Sequence, residues 1–305
     1  MRRLLARLIS AALLVFTFLW TGSQMRQAGQ KDSLQADEPA SQRRTFEDAA
    51  AIKKPIDGVI VVGKLRSEDT DWVLQELPEY VSLLSPVRLA LESLMSERTL
   101  LRWQHAVYTV DDPTAPLTVP QNKGRESNVY LQYIIDYYNV LPQTIVFLHS
   151  HRDGYPAAWH NEFPDHSNVR AVRNLRIDFV QQNGYANLRC NPNPGCPAEI
   201  RPFRQPADHD RSAEIAFPDA WRTLFSTEVP DVIGAGCCAQ FAVSRDQIRQ
   251  RPLQSYMNYH KWLMETTLPD DVSGRVMEYL WHIIFGRDPV YCPEMAQCYH
   301  DVFGI

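Results

Sequence analysis

The chain has 305 residues, of which 45% are hydrophobic and 22% are charged, and its formal net charge is −5. These proportions are close to the averages of soluble globular proteins, so they exclude a fibrous or largely disordered chain. An acidic balance gives no overall electrostatic reason to bind a phosphate backbone, and we therefore expect no nucleic-acid partner, with a local basic patch as the alternative.

The N-terminus has the pattern of a secretory targeting segment. Arg2, Arg3 and Arg7 precede an apolar run over residues 8–20, which has the length of a signal-peptide core and is short for a membrane span. We predict that residues 1–22 are either a cleaved signal peptide or a retained signal-anchor. Cleavage would give a secreted protein. A retained anchor would give a type II protein of the ER or Golgi membrane, because the arginines would stay in the cytoplasm.

A flexible stem is predicted over residues 23–57, which are rich in Gln, Ala, Ser, Lys and Glu. We expect a single α/β domain over residues 58–305. Its first strand is the β-branched run at residues 59–62, a pattern typical of a strand buried on both faces of a parallel sheet. Residues 106–110 predict a second strand.

Helices and strands alternate along the rest of the domain. In chain order, the hydrophobic pattern predicts a helix over 124–141, a strand over 144–148, a helix over 169–182, a strand over 185–189 and a helix over 273–286. Ser273 is expected to cap the last of these helices. This alternation predicts a mostly parallel sheet with helices on its faces.

Six cysteines, an even number, agree with an oxidising compartment. They are Cys190, Cys196, Cys237, Cys238, Cys292 and Cys298. The first two flank a turn-forming loop and the last two flank a spacer of equal length, so we predict one disulfide within each pair. A zinc site is the alternative, although paired zinc ligands normally lie two to four residues apart. A bond between the adjacent Cys237 and Cys238 would strain the backbone, and we expect one or both to be reduced and buried.

A candidate metal site follows the strand over 144–148. His149, His151 and Asp153 stand there at every second position, at the sheet edge where open α/β sheets bind ligands. If extended geometry continues, two imidazoles and a carboxylate share a face and can converge on a divalent metal ion. The alternative is structural, with His149 in the core, His151 in a local hydrogen bond and Asp153 in a turn.

Two further segments have the composition of ligand-binding loops. Their candidate residues are Asn122, Lys123 and Arg125, and Trp159, His160 and Asn161. The first three precede a helix N-terminus, where free backbone N–H groups and cations favour an anion. The second three combine an aromatic plate with polar groups, which suits a carbohydrate or another small polar ligand. The alternative for the second segment is a surface loop anchored by its tryptophan.

A candidate catalytic pair lies near the C-terminus. Glu278 and His282 are four residues apart on a predicted helix and away from its apolar stripe. Both can therefore project to one point, where we expect them to act as a base and its orienting partner. A solvent-exposed ion pair is the alternative.

Several distinctive motifs occur along the domain. They are NKGRE at 122–126, FLHSH at 147–151, WHN at 159–161, LRC at 188–190 with GCP at 195–197, CCAQF at 237–241 and EYLWH at 278–282. Together they resemble a fungal family of membrane-anchored or secreted proteins classed as a domain of unknown function, over roughly residues 59–298. More distantly, the layout of anchor, stem, nucleotide-sized domain and late Glu-bearing helix resembles a GT-A glycosyltransferase. That fold usually has Asp-x-Asp after a hydrophobic strand, where this chain has His149-x-His151.

The family of unknown function implies no activity. The more distant resemblance to GT-A glycosyltransferases implies a lumenal, glycosyltransferase-like enzyme of the secretory pathway that transfers a hexosyl group from a nucleotide sugar. His149, His151 and Asp153 would hold a divalent ion or the donor phosphates, and Glu278 would be the base toward an acceptor hydroxyl. A second hypothesis is a secreted, non-catalytic carbohydrate-binding module that uses Trp159. A third is a metal-dependent hydrolase or tailoring enzyme that uses the same histidines.

Overall fold

The computed structural model describes residues 58–77 and 103–305. The predicted targeting segment at residues 1–22 and the predicted stem at residues 23–57 lie outside the described residues. Within the two described ranges, no helix is both long and apolar enough to cross a lipid bilayer.

The described strands confirm an α/β fold and correct the expected strand directions. They are β1 (Gly58–Lys64), β2 (Trp103–Thr109), β3 (Thr144–Leu148), β4 (Tyr185–Asn187), β5 (Gly234–Ala235), β6 (Phe241–Ser244) and β7 (Val290–Tyr291). Five of them form one sheet in the order β2-β1-β3-β6-β4, and β5 pairs with β7. Strands β1, β2 and β3 are parallel, whereas β6 is antiparallel to both β3 and β4.

The antiparallel strand makes the sheet mixed, so the prediction of a mostly parallel sheet was only partly right. The register pairs Phe241, the first residue of β6, with Phe147 near the end of β3. The chain therefore enters the sheet at the carboxyl edge of β3 and must run back along it. Residues 237–240, which lead into β6, consequently lie beside the residues that follow β3.

Helices flank the sheet. They are α1 (Asp71–Glu76), α2 (Glu126–Tyr137), α3 (Asn168–Asn174), α4 (Ile177–Asn183), α5 (Ser212–Leu224), α6 (Arg245–Arg249), α7 (Leu253–Glu265), α8 (Asp270–Glu278), α9 (Trp281–Ile284) and α10 (Met295–Cys298), followed by a π-helical turn (Tyr299–Phe303). Along β1, Val59 and Val61 pack into one hydrophobic cluster, while Ile60 and Val62 pack into the other. This alternation confirms that β1 is buried on both faces.

Two predicted helices are each divided in the structure. The helix expected over 169–182 breaks between α3 and α4, because Leu175 and Arg176 have extended backbone and the Arg176 N–H donates to the carbonyl of Val302. The helix expected over 273–286 breaks between α8 and α9. It also begins at Asp270, directly after Pro269, so Ser273 lies buried inside α8 and does not cap it.

The disulfide pairing differs from the prediction. The bridges join Cys190 to Cys298, Cys196 to Cys292 and Cys237 to Cys238, so all six cysteines are oxidised. Cys190 and Cys298 are buried in one hydrophobic cluster, which places the C-terminal segment against the loop that follows β4. Both cysteines of residues 190–196 are therefore bonded to cysteines of residues 292–298.

The two long-range bridges are nested, and we expect their contributions to stability to be non-additive. With either bridge intact, the other closes a ring of only about 14 residues, which is worth about 3 kcal/mol in the chain-entropy model. Replacing Cys190 and Cys298 by Ser should therefore cost about 3 kcal/mol in urea unfolding, and replacing all four cysteines should cost about 8 kcal/mol. A quadruple variant that loses no more than the double variant would contradict this account.

Candidate functional site

A pocket of about 360 Å³ opens at the carboxyl edge of the sheet. The ends of two adjacent parallel strands line it, β1 through Gly63 and Lys64, and β3 through His149 and His151. In the sheet, β2 lies on one side of β1 and β3 lies on the other. The direction in which successive strands are placed therefore reverses between β1 and β3. In open α/β sheets, ligands bind at this switch point.

Three histidines meet at this edge. His149 and His151 follow β3, and His160 comes from the loop beyond, so that one ring nitrogen of each lies within 4.8 Å of the others. Nδ1 of His149 is 3.1 Å from Nε2 of His160. Two buried ring nitrogens, Nε2 of His149 and Nδ1 of His151, have no hydrogen-bond partner. Because buried polar atoms are nearly always paired, these two atoms could serve as ligand atoms for a metal ion.

The cluster is held by a buried amide network centred on Gln240. Its Oε1 accepts from the backbone N–H of His149 at 2.8 Å and from Nδ2 of Asn168 at 3.0 Å. Its Nε2 donates to Oδ1 of Asn161 at 2.5 Å. Gln240 therefore attaches the end of β3 to the loop that carries His160.

Burial keeps two of the imidazoles neutral. It lowers the pKa of His149 well below its usual range, and the neighbouring His160 and His151 lower it further. Burial also lowers the pKa of His160 to about 4, with a further contribution from His151. Because a metal ion binds only the neutral imidazole, these two side chains are in the binding form at neutral pH.

A carboxylate that the sequence analysis missed lies beside the cluster. Oε1 of Glu68, in the turn after β1, accepts from the hydroxyl of Ser150 at 2.8 Å and is 3.8 Å from Nε2 of His151. A carboxylate on the far nitrogen of a ligating histidine orients the ring toward the metal. This arrangement points to Nδ1 of His151, the unpartnered atom, as its ligand atom.

Asp153 does not join the two histidines with which it was predicted to bind a metal. Its carboxylate is exposed and pairs with Arg152, which also bonds Glu76 at 2.6 Å. The prediction assumed that extended geometry continues past the strand, whereas β3 ends at Leu148. His160, predicted as a general ligand-binding residue, takes the third place in the cluster.

Two carboxylates lie near the same pocket. Glu126, the first residue of α2, lines it, and burial raises the pKa of Glu126 to about 7, with a further rise from the charge of Glu278. Burial also raises the pKa of Glu278, although the N–H of Cys238 opposes this by donating to its Oε1 at 2.6 Å. The charge of Arg125 lowers the pKa of both carboxyls and of His149, so its guanidinium lies near all three groups.

Arg125 lies between two helices, just before the start of α2 and against the surface of α8. It precedes α2 with φ +56°, and its side chain packs over α8 at Gly274, where an added Cβ would lie 3.1 Å from Cγ and Cδ of Arg125. A larger residue at this position would displace the guanidinium. The tight approach explains why α8 carries a glycine inside a helix, where glycine normally weakens stability.

The expected pair of Glu278 and His282 is not present on one helix. Because α8 ends at Glu278, the four-residue spacing spans a helix break. His282 is buried, its Nε2 lies 3.0 Å from the carbonyl oxygen of Pro289, and burial lowers its pKa to about 4. His282 therefore contacts the backbone at Pro289, and the carboxylates that interact electrostatically with Glu278 are Glu126 and Glu199.

The six predicted ligand-binding residues separate into different places. Asn122 and Arg125 line the switch-point pocket, whereas the ammonium of Lys123 donates to the carbonyls of Met264 at 2.8 Å and Thr266 at 2.5 Å, at the C-terminal end of α7. His160 belongs to the histidine cluster. The two remaining residues, Trp159 and Asn161, line a second pocket of about 610 Å³, where Trp159 lies 5.3 Å from the guanidinium of Arg189.

Comparison with known proteins identifies a family for this chain. A family model described as a protein of unknown function (DUF3431) matches residues 60–301, which agrees with the predicted extent of a domain of unknown function. No curated protein and no solved structure matches the chain. The chemistry of the site must therefore be argued from its own residues.

Proposed function

The chain belongs to DUF3431, a family of proteins of unknown function, and from the geometry of its site we propose that it is a metal-assisted transferase of the glycosyltransferase type that uses a nucleotide sugar. The observation that carries the proposal is the cluster of His149, His151 and His160 at the switch point of the sheet, where His149 and His151 line a pocket. Switch-point pockets are where α/β sheets bind nucleotides. The more distant resemblance to GT-A glycosyltransferases supports the same reaction class.

The side chains around the pocket support a phosphate-bearing donor. A divalent ion on the three histidines would neutralise charge on a phosphate leaving group. Lys64 and Arg125 line the same pocket and supply fixed cations, and the N-terminus of α2 adds its partial positive charge. Glu68, Glu126 and Asp270 line the same pocket, so a diphosphate is favoured over a neutral ligand only when a divalent ion adds its charge to these cations.

Glu126 is the best candidate for the general base, in place of the predicted Glu278. It lines the pocket, and a pKa of about 7 suits a base that must accept a proton near neutral pH. In the proposed reaction, the acceptor hydroxyl oxygen forms a bond to the anomeric carbon of the donor sugar. The bond from that carbon to the phosphate oxygen breaks, and Glu126 takes the hydroxyl proton.

The proposal includes a location in the secretory pathway. Three disulfides support an oxidising compartment, because such bonds are rare in the cytosol. Attachment to the ER or Golgi membrane, or secretion, would depend on residues 1–22, for which both alternatives are retained.

One observation favours a second candidate, a metal-dependent hydrolase. All three ligand candidates are imidazoles, which suit zinc or iron better than the magnesium or manganese that commonly accompanies nucleotides. In this case Glu126 would take a proton from water, and no nucleotide would be required.

Metal analysis and ligand binding on the purified protein separate these functions. The transferase predicts that a panel of UDP- and GDP-linked hexoses includes one that raises the melting temperature, and that a chelator removes the effect. Bound zinc or iron without any nucleotide-sugar binding would favour the hydrolase. Carbohydrate binding that a chelator does not change would favour the non-catalytic module. Absence of both metal and nucleotide-sugar binding would rule out the proposed function.

A further inference from the structure

One four-residue segment connects the two halves of the site. Residues 237–240 lie between β5 and β6, beside the carboxyl edge of β3. At one end, the backbone N–H of Cys238 donates to Oε1 of Glu278 at 2.6 Å. At the other end, Oε1 of Gln240 accepts from the N–H of His149 at 2.8 Å. The carboxylates and the histidine cluster are therefore both attached to this segment.

The disulfide within this segment differs in kind from the other two. Cys190 is bonded to a residue 108 positions later in the chain, and Cys196 to a residue 96 positions later. Cys237, in contrast, is bonded to its immediate neighbour. A cross-link stabilises a protein mainly by closing a loop of the unfolded chain, and the stabilisation increases with the length of that loop. A bond between adjacent residues closes no such loop, so its contribution must be local.

The backbone of the segment has an uncommon conformation. Cys238 has φ +84° and Ala239 has φ +49°, in the left-handed region that residues with side chains seldom adopt. The chain just before them is enclosed, because a Cβ at Gly236 would lie 2.6 Å from the carbonyl oxygen of Arg189. The disulfide adds a covalent restraint at the point where the backbone changes direction toward β6.

We propose that the Cys237–Cys238 disulfide is a positioning element of the reaction centre, which aims the Cys238 N–H at Glu278 and the side chain of Gln240 at His149. Without the bridge, the backbone at Cys238 is free to leave its left-handed conformation. Both hydrogen bonds would then lose their fixed donor or acceptor. The inference rests on the proposed function only for the identity of the base.

Loss of the disulfide would also change the pKa of Glu126, because the charge of Glu278 acts on Glu126. The hydrogen bond from Cys238 favours the ionised form of Glu278, whose charge in turn raises the pKa of Glu126. If the bond is lost, Glu278 either takes a proton or moves away, and both changes remove negative charge near Glu126. The pKa of Glu126 should therefore fall from about 7 toward its usual range.

Other charged or titratable groups surround the two carboxylates, and the substitutions replace none of them. The charged or titratable groups around Glu126, besides Glu278, are Arg125, Tyr130, Lys64, Glu68, His149, His151 and Asp270. Those around Glu278 are Arg125, Glu199, Arg275 and Tyr279. Cys237 and Cys238 contribute no charge of their own while they are bonded, so their replacement tests position alone.

The test is a ¹³C NMR titration of labelled glutamate in the purified protein, with the Glu126 signal identified by its absence in Glu126→Gln. We expect the double variant Cys237→Ser, Cys238→Ser to lower the titration midpoint of Glu126 by about one pH unit. Its melting temperature should change by less than about 3 °C. The amide of His149 should lose protection from hydrogen exchange, because Gln240 no longer holds it.

The matched control is Cys190→Ser with Cys298→Ser, which should lower the melting temperature and leave the Glu126 midpoint unchanged. If the adjacent-cysteine variant does not fold, Glu278→Gln keeps the disulfide and should produce the same fall in the Glu126 midpoint. An unchanged midpoint in either folded variant, or free thiols at both residues of the native protein, would overturn the proposal. The titration requires neither metal nor turnover, so this outcome is separate from a failure of the proposed function.

Discussion

Substituting His160 by Ala is expected to weaken divalent metal binding by at least about 100-fold, because outer-shell changes alone cost about 10- to 100-fold in metal sites. His160 contributes one of three ring nitrogens that lie within 4.8 Å of one another, and burial keeps it neutral and ready to bind. The proposed transferase activity should be lost with the metal. The measurement is a Co²⁺ titration of the metal-free protein, followed by visible absorption.

Two control substitutions make this result specific. Asp153→Asn should leave Co²⁺ affinity unchanged, because Asp153 is exposed and paired with Arg152. His166→Ala removes another histidine of the same loop, whose Nδ1 lies 3.1 Å from the backbone oxygen of Asn161 and which lies outside the cluster. If Asp153→Asn abolishes binding while His160→Ala retains it, the ligand set predicted from spacing is correct and the one described here is wrong.

The contrast between Asp153 and His160 shows what the sequence can predict about the site. Residues 144–148 are an uninterrupted run of β-forming side chains, and the strand was predicted at the bounds that the structure has. A buried strand depends on its own composition, so local pattern suffices. The same strand delivers His149 and His151 to the pocket. The strand ends at Leu148 and the chain bends at Ser150 and Asp153, so a rule based on alternation places Asp153 incorrectly.

His160 could not be found in this way because long-range contacts bring it to the cluster. The bonds of Gln240 to His149 and to Asn161 join three distant parts of the chain, and no spacing within one segment reveals them. The cysteines show the same limit, since six cysteines allow 15 pairings and only the packing of the two loops selects one. The pKa of Glu126 likewise depends on burial and on Glu278, which is remote in sequence.

Replacing Glu126 by Gln is expected to reduce the turnover rate by about 10²- to 10⁴-fold, the usual contribution of a general base. The amide has nearly the shape of the carboxyl group but cannot accept the acceptor's proton. Nucleotide-sugar affinity should be retained, because the proposed phosphate contacts come from Lys64, Arg125 and the metal. The measurement compares turnover with donor binding in the same preparation, so a folding defect would appear as a loss of both.

The pH profile gives this prediction its sharpest form. A general base works only when ionised, so wild-type activity should rise with pH through a midpoint of about 7, the pKa of Glu126. The residual activity of Glu126→Gln should lack this rise. In Glu278→Gln the rise should remain but move to lower pH, because the repulsion that favours the protonated form of Glu126 is gone. A rise that persists unchanged in Glu126→Gln would assign the base to another residue, and Glu278 would then be the first to test.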